Sequence, residues 1–189
     1  MKKRFEMRFT GSGGQGVILA SVIMADAAVR AGLQAVQSQS YGPEARGGMC
    51  KAEAIVSNGQ IWFSKVQKPD FLLVLTQASF HKFVEVLADD AVILADDSLT
   101  IPAGVDPSRV VLAPILATAK EKVGRAMTAN IVAVGAINAL LHLFPQDALE
   151  AAVLDRVPKG TEDLNRKALE AGKALISEEM AAQFARTLS

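Results

Sequence analysis

Residues 4–16, Arg4-Phe5-Glu6-Met7-Arg8-Phe9-Thr10-Gly11-Ser12-Gly13-Gly14-Gln15-Gly16, decide the fold class. The first seven alternate polar and apolar side chains, which is the period of a strand with one buried face. The next six include the glycines at 11, 13, 14 and 16, and beyond them Val17, Ile18, Val22, Ile23, Ala25 and Val29 recur at helical spacing until Gly32. Strand, glycine turn and helix in that order predict an α/β layered domain.

The rest of the chain extends that pattern. Residues 33–39 read as a short polar strand leading into Ser40-Tyr41-Gly42-Pro43-Glu44-Ala45-Arg46-Gly47-Gly48. So many glycines beside a proline cannot hold a helix or a sheet interior, so this is a loop. Residues 49–57 alternate through Ala52, Ala54 and Val56, then comes Asn58-Gly59, then residues 60–63; together they predict a hairpin with a type I′ turn. Short Val, Ile and Leu runs at 71–76, 91–96 and 110–114 read as strands of a sheet covered on both faces. Helices are expected over 79–88, 117–123, 127–144, 147–153 and 161–174. Arg156-Val157-Pro158-Lys159-Gly160 breaks the chain, so a single domain over 1–189 carries a terminal helical segment, 161–189, that packs on the same core or reaches for a partner.

Composition removes several classes of function. Half of the 189 residues are hydrophobic, and 20 basic residues balance 20 acidic ones. With no run of lysine or arginine, a nucleic-acid face is not expected. Cys50 is the single cysteine, so the chain cannot build a disulfide framework, a four-cysteine zinc site or a thiolate-bound iron–sulfur cluster. His81 and His142 lie in no ligand-spaced motif, and no metal site is expected. Residues 1–9 lack a following apolar h-region, and the apolar stretch 126–144 is interrupted by Thr128, Asn130, Asn138 and His142. Neither a secretory signal nor a membrane span is therefore expected, and the location expected is the cytoplasm.

The glycine turn has a clear chemistry. Glycines let backbone approach a phosphate, and the following helix aims free amides and its positive end at the anion. Gly11, Ser12, Gly13, Gly14, Gln15 and Gly16 are thus candidate cofactor-binding residues. A turn made glycine-rich by close packing of strand and helix is the other reading. A nicotinamide dinucleotide is disfavoured, because Gln37, Ser38, Gln39 and Ser40 stand where an acid for the ribose is required. Arg4, Glu6 and Arg8 line one side of the first strand, which predicts an edge strand or strand end in water, or contact with another subunit.

The second loop offers Arg46, whose planar fork suits phosphate or carboxylate. Tyr41, Gly42, Pro43, Glu44, Arg46, Gly47 and Gly48 are read either as a ligand or interface loop or as a glycine turn with a surface Glu44–Arg46 pair. The two loops together, Gly11 to Gly16 and Ser40 to Gly48, resemble the gamma subunit of the 2-oxoacid:ferredoxin (acceptor) oxidoreductases. Asn58-Gly59-Gln60-Ile61, Pro69-Asp70, and the stretches 130–135 and 165–172 are similar to that family's pattern. The wording around Arg46 resembles the 2-oxoglutarate and branched-chain 2-oxoacid types, with 2-oxoglutarate favoured.

The resemblance implies a Rossmann-like three-layer domain with a mostly parallel sheet and a hairpin extension. It implies a complex that oxidatively decarboxylates a 2-oxoacid with coenzyme A, giving acyl-CoA, carbon dioxide and reduced ferredoxin. Thiamin diphosphate, magnesium and [4Fe–4S] clusters would sit in alpha, beta and, where present, ferredoxin-like delta subunits. The gamma chain would be inactive alone, complete the assembly and offer coenzyme A a diphosphate site. When isolated it would form a homodimer through surfaces meant for partners.

No nucleophile, base and orienting group come together in the sequence, so no catalytic residue is expected. Cys50 reads as a small buried hydrophobe, and His81 and His142 as packing or surface residues. Asp96-Asp97 reads as a turn or helix cap, with magnesium or ribose binding as the alternative. Asn130 and Asn138, in an otherwise apolar helix, either bridge to a neighbouring loop or chain or are partly exposed. Two other functions stay open: a stand-alone nucleotide-binding reductase using flavin or NADP, and a purely architectural subunit.

Overall fold

The computed structural model describes residues 3–41 and 48–186. Six strands form one sheet in the order β2-β3-β1-β4-β5-β6. They are β1 (Arg4–Ser12), β2 (Gln34–Tyr41), β3 (Met49–Ser57), β4 (Phe71–Val74), β5 (Val92–Asp96) and β6 (Val110–Ala113). From β1 through β4 and β5 to β6 the strands are parallel, while β3 runs antiparallel to both β1 and β2. The fold is α/β with a mixed sheet between helical layers.

The main core lies on the face to which β1 turns Phe5, Met7 and Phe9, all buried. Burial of each such side chain contributes about 1.5–3 kcal/mol. Helix α1 (Val17–Arg30) covers this face. On the opposite face the short α2 (Gln77–Phe83) brings Phe80 onto Leu72, Val74, Ile93 and Ala95. Beyond β6, α3 (Ile115–Ala117) runs into a π turn over Thr118–Val123, so the expected helix over 117–123 is underwound and wider than an α-helix. Helix α4 (Ala129–Leu141) is apolar on all sides because it is enclosed on all sides. Helices α5 (Gln146–Leu154), α6 (Glu162–Lys173) and α7 (Glu178–Phe184) complete the chain, with Leu169 and Phe184 buried in the same core. Ser177 starts α7 by accepting the Met180 N–H.

Helices α4 and α6 cross at backbone contact. A Cβ on Gly172 would lie 1.9 Å from the Val132 carbonyl oxygen, and one on Gly135 would lie 2.2 Å from that of Leu169.

Two expectations are corrected. No hairpin forms about Asn58-Gly59, because both edges of β3 are already taken: Ser57 stands opposite Arg4 on one side and Gln34 on the other. Residues 60–63 therefore have no place in the sheet, and Trp62 is 84% exposed. The hairpin is β2–β3, whose tip is the second loop. Strand β1 is likewise no edge, and its charged side does not stand in water. Arg8 Nε donates to Glu53 Oε1 at 2.8 Å with both side chains 8% exposed, and Lys51 Nζ lies 3.2 Å from the same carboxylate. The Arg8 guanidinium also sits 5.7 Å from the Phe83 ring centre. Arg4 donates to the carbonyls of Phe63 and Lys65, and Glu6 Oε2 accepts the Gln67 N–H. The charges thus pin the chain's own 63–67 segment against the sheet.

Candidate functional site

Strand β1 runs two residues further than its alternation suggests, with Gly11 opposite Cys50 and Ser12 opposite Met49. The chain then turns so tightly that Gln15 folds back inside: its Oε1 accepts the Ser12 N–H at 2.7 Å and its Nε2 donates to the Leu75 carbonyl at 3.3 Å. The Gln15 N–H donates to the Ser12 carbonyl at 3.2 Å. Gln15 is therefore an internal brace, and a Cβ on Gly11 would meet its Oε1 at 2.5 Å. Gly13 and Gly14 are left exposed at the apex.

Gly16 takes a left-handed conformation, φ 71°, and opens α1 with no side-chain cap and no acidic residue in the first turn. The N–H groups of Val17, Ile18 and Leu19 begin the helix without intrahelical acceptors. They make its positive end available to an anion.

The second loop meets the first. The Gly13 N–H donates to the Gly48 carbonyl at 3.1 Å, and Gly48 is buried there. Tyr41 ends β2 opposite Cys50, so both loops rise from the same end of β1 and β3. Gly42, Pro43, Glu44, Arg46 and Gly47 lie outside the described residues.

The remaining candidates resolve into structural roles. Asp96 spends both oxygens, Oδ1 accepting from Ser98 N–H and Oγ–H and Oδ2 accepting the Leu116 N–H at 2.8 Å, which is the turn and cap reading. Asn138 bridges to the α4–α5 turn, its Nδ2 donating to the Phe144 carbonyl and its Oδ1 accepting the Phe144 N–H, each at 3.0 Å. His142 closes α4 with φ 52°, and His81 is exposed with its Nε2 3.1 Å from Gln77 Nε2. Cys50 is half-buried, and burial pushes its thiol pKa up. Among the described residues no three His, Cys, Asp or Glu side chains gather as metal ligands, and no helix is long and apolar enough to cross a membrane.

Asn130, expected either to bridge to a neighbouring loop or chain or to be partly exposed, is buried against the glycine turn. It packs against Gly16, where a Cβ would come within 2.6 Å of its Nδ2. The signal was a lone amide near the start of an apolar helix.

The family model described as pyruvate ferredoxin/flavodoxin oxidoreductase matches residues 6–175. The chain is 40% identical over 181 residues to the 2-oxoglutarate synthase subunit KorC of Methanocaldococcus jannaschii, covering 94% of this chain and 97% of that protein. The crystal structure of the gamma subunit of a keto/oxoacid ferredoxin oxidoreductase from Geobacter sulfurreducens superposes with TM-score 0.81 at 45% identity, over 92% of this chain and 97% of that one. A 2-oxoglutarate:ferredoxin oxidoreductase from Magnetococcus marinus, solved with 2-oxoglutarate, coenzyme A and succinyl-CoA bound, shares the fold. Its TM-score is 0.80 at 23% identity, over 93% of this chain and 31% of the longer one.

Proposed function

Since the chain belongs to the pyruvate ferredoxin/flavodoxin oxidoreductase family, we propose that it is the gamma-type subunit of a 2-oxoglutarate:ferredoxin oxidoreductase. The complex converts 2-oxoglutarate and coenzyme A to succinyl-CoA and carbon dioxide, passing two electrons to ferredoxin. The observation that carries this reading is the 40% identity to a 2-oxoglutarate synthase subunit along nearly the whole of both chains.

The donor sets divide the labour. A cluster needs several thiolates, and this chain has one cysteine, so the iron–sulfur groups belong to partner subunits. Thiamin diphosphate, which would supply the decarboxylation chemistry, belongs there with its magnesium; both oxygens of the Asp96 carboxylate are already committed to Ser98 and Leu116. The alpha and beta subunits, with a ferredoxin-like delta subunit where one exists, are the partners, and the cytoplasm is the location.

What this chain offers is a binding surface. The apex at Gly13 and Gly14, the uncapped start of α1 and the adjoining tip of the β2–β3 hairpin fit the diphosphate of coenzyme A. Gly11, Ser12 and Gln15 shape that surface from within, and Gly16 sets the helix against it. Tyr41, Glu44 and Arg46 belong to the tip that faces the ligand or the neighbouring subunit.

The test is reconstitution. The partner subunits with and without this chain are assayed for ferredoxin reduction dependent on 2-oxoglutarate and coenzyme A, with pyruvate and 2-oxoisovalerate as comparison substrates. Turnover with 2-oxoglutarate only when the chain is present is the expected result. Equal turnover without it, or NAD(P)H oxidation by the chain alone, overturns the reading.

A further inference from the structure

Asn130 occupies the second position of α4 and is 5% exposed. Its Oδ1 accepts the Ile131 N–H at 3.0 Å. That bond fixes the amide, because exchanging oxygen and nitrogen would set two donors face to face. The nitrogen is consequently the end that lies against Gly16. Among the described residues Nδ2 donates to no acceptor, and it is not sealed in the core. Buried side-chain donors are normally answered, so an open one beside a glycine turn points to a ligand.

The surroundings give that ligand its charge. Helices α1 and α4, of 14 and 13 residues, begin on either side of this contact. Neither has a side-chain cap hydrogen bond, and neither carries an acidic residue in its first turn. At the start of α4 the Ala129 N–H is already taken by the Ala126 carbonyl and the Ile131 N–H by Asn130 Oδ1, so the open groups at Gly16 are the leading amides of α1 and the Asn130 Nδ2, all of them donors. A neutral or cationic ligand would find no acceptor among them, whereas a phosphoryl oxygen matches every one.

We propose that Asn130 Nδ2 is a phosphoryl-binding donor that holds one oxygen of a diphosphate between the start of α1 and the start of α4. This rests on reading the glycine turn as a diphosphate site, and it adds a contact from a segment more than a hundred residues further along the chain. Coenzyme A and thiamin diphosphate both carry the required group, and the test separates them.

The assembled complex is prepared with Asn130→Asp, Asn130→Ser and, as a probe of the turn itself, Gly14→Asp. Apparent KM values are measured for coenzyme A, for pantetheine as an acyl acceptor lacking the diphosphate, and for 2-oxoglutarate, together with the dependence on thiamin diphosphate. Asn130→Asp sets a carboxylate against the phosphate and raises the coenzyme A KM by roughly a hundredfold, while Asn130→Ser, one bond shorter, raises it by roughly tenfold. The pantetheine and 2-oxoglutarate KM values and the limiting kcat stay within about twofold of wild type. If Asn130→Asp fails to assemble, Asn130→Ser, which still offers the Ile131 N–H an oxygen, decides.

Unchanged coenzyme A and thiamin dependence in both Asn130 variants, with a loss in Gly14→Asp, overturns the role of Asn130 and leaves the turn as a diphosphate site. No effect in any of the three overturns both. An equal rise for pantetheine and coenzyme A shows a shape defect and overturns the phosphoryl contact. A change in thiamin dependence alone keeps the phosphoryl role and reassigns the diphosphate.

Discussion

Gly16 and Gly172 are both glycines because a methyl group would collide there, but the obstacles differ in kind. At Gly172 the obstacle is backbone, the Val132 carbonyl 1.9 Å from a Cβ, inside a helix crossing where the peptide groups are already paired along α4 and α6. At Gly16 it is the amide of Asn130, 2.6 Å away, beside the start of α1, whose leading N–H groups have no intrahelical acceptor. A glycine surrounded by satisfied groups serves packing. One surrounded by open donors serves something that arrives from outside.

The sharpest way to break this contrast is Gly172→Ala. The carbonyl it meets belongs to a helix and cannot rotate away, so α4 and α6 must separate. The expected loss is about 3 kcal/mol or more, at the upper end of overpacking effects. In a domain of this size that is a Tm drop of about 6–12 °C, read by thermal unfolding. A Tm within about 2 °C of wild type would mean that the crossing yields freely, and the packing half of the contrast would fail.

The opposite face of the sheet supplies a second satisfied region. Glu53→Gln leaves the Arg8 guanidinium enclosed against an uncharged partner. The cost is about 3 kcal/mol, because the lost attraction no longer offsets desolvation. Replacing both residues, Arg8→Met with Glu53→Leu, should restore most of the loss, because the one further partner of Glu53, the Lys51 ammonium, is exposed enough for water to replace the carboxylate. Denaturant midpoints of the two variants check this. If the double variant assembles with partner subunits as poorly as the single one, the pair faces a neighbouring chain as well.

These regions also show which features a sequence discloses. The strand, turn and helix of residues 4–30 were legible because periodicity and turn chemistry are local. The loop pair was legible as a motif, and Gly13 donating to Gly48 brings its two halves together. The β2–β3 hairpin was not, because Asn58-Gly59 is a stronger local turn signal than the loop that makes the reversal. Only the non-local pairing of Ser57 with both Arg4 and Gln34 excludes the hairpin at 58–59. The charges on β1 were misread for the same reason, since their partners at Phe63 and Lys65 lie about sixty residues away. Gln15 looked like part of a ligand-facing loop, yet its amide reaches back to Leu75.

Gly16→Ala sharpens the other half of the contrast. A left-handed alanine costs about 1–2 kcal/mol, and displacement of Asn130 adds to that. The Tm should fall by a few degrees, less than in Gly172→Ala. If the site reading is right, affinity for coenzyme A in the complex falls with it, whereas Gly172→Ala complexes that do assemble keep normal affinity. A Gly16 variant that loses stability with unchanged coenzyme A binding would return Gly16 to the packing class.

The smallest effect concerns Cys50, which faces Gly11 across the β1–β3 ladder and so reports on the rim of the site. Desolvation raises its pKa, meaning that the folded chain holds the thiol proton to higher pH than the unfolded chain does. The stability this contributes is complete below the free-thiol value of about 8.5 and declines as pH rises from there through the raised folded value. At neutral pH the thiolate fraction is therefore lower than in a free cysteine, and iodoacetamide should alkylate Cys50 more slowly than a model thiol, the rate climbing only in alkaline solution. Coenzyme A added to the complex should slow alkylation further, because a ligand on the glycine turn narrows access from that rim. Alkylation at neutral pH as fast as that of a free thiol would show the rim to be open to water, and the site would then lack the dry flank that strengthens its amides toward a phosphate.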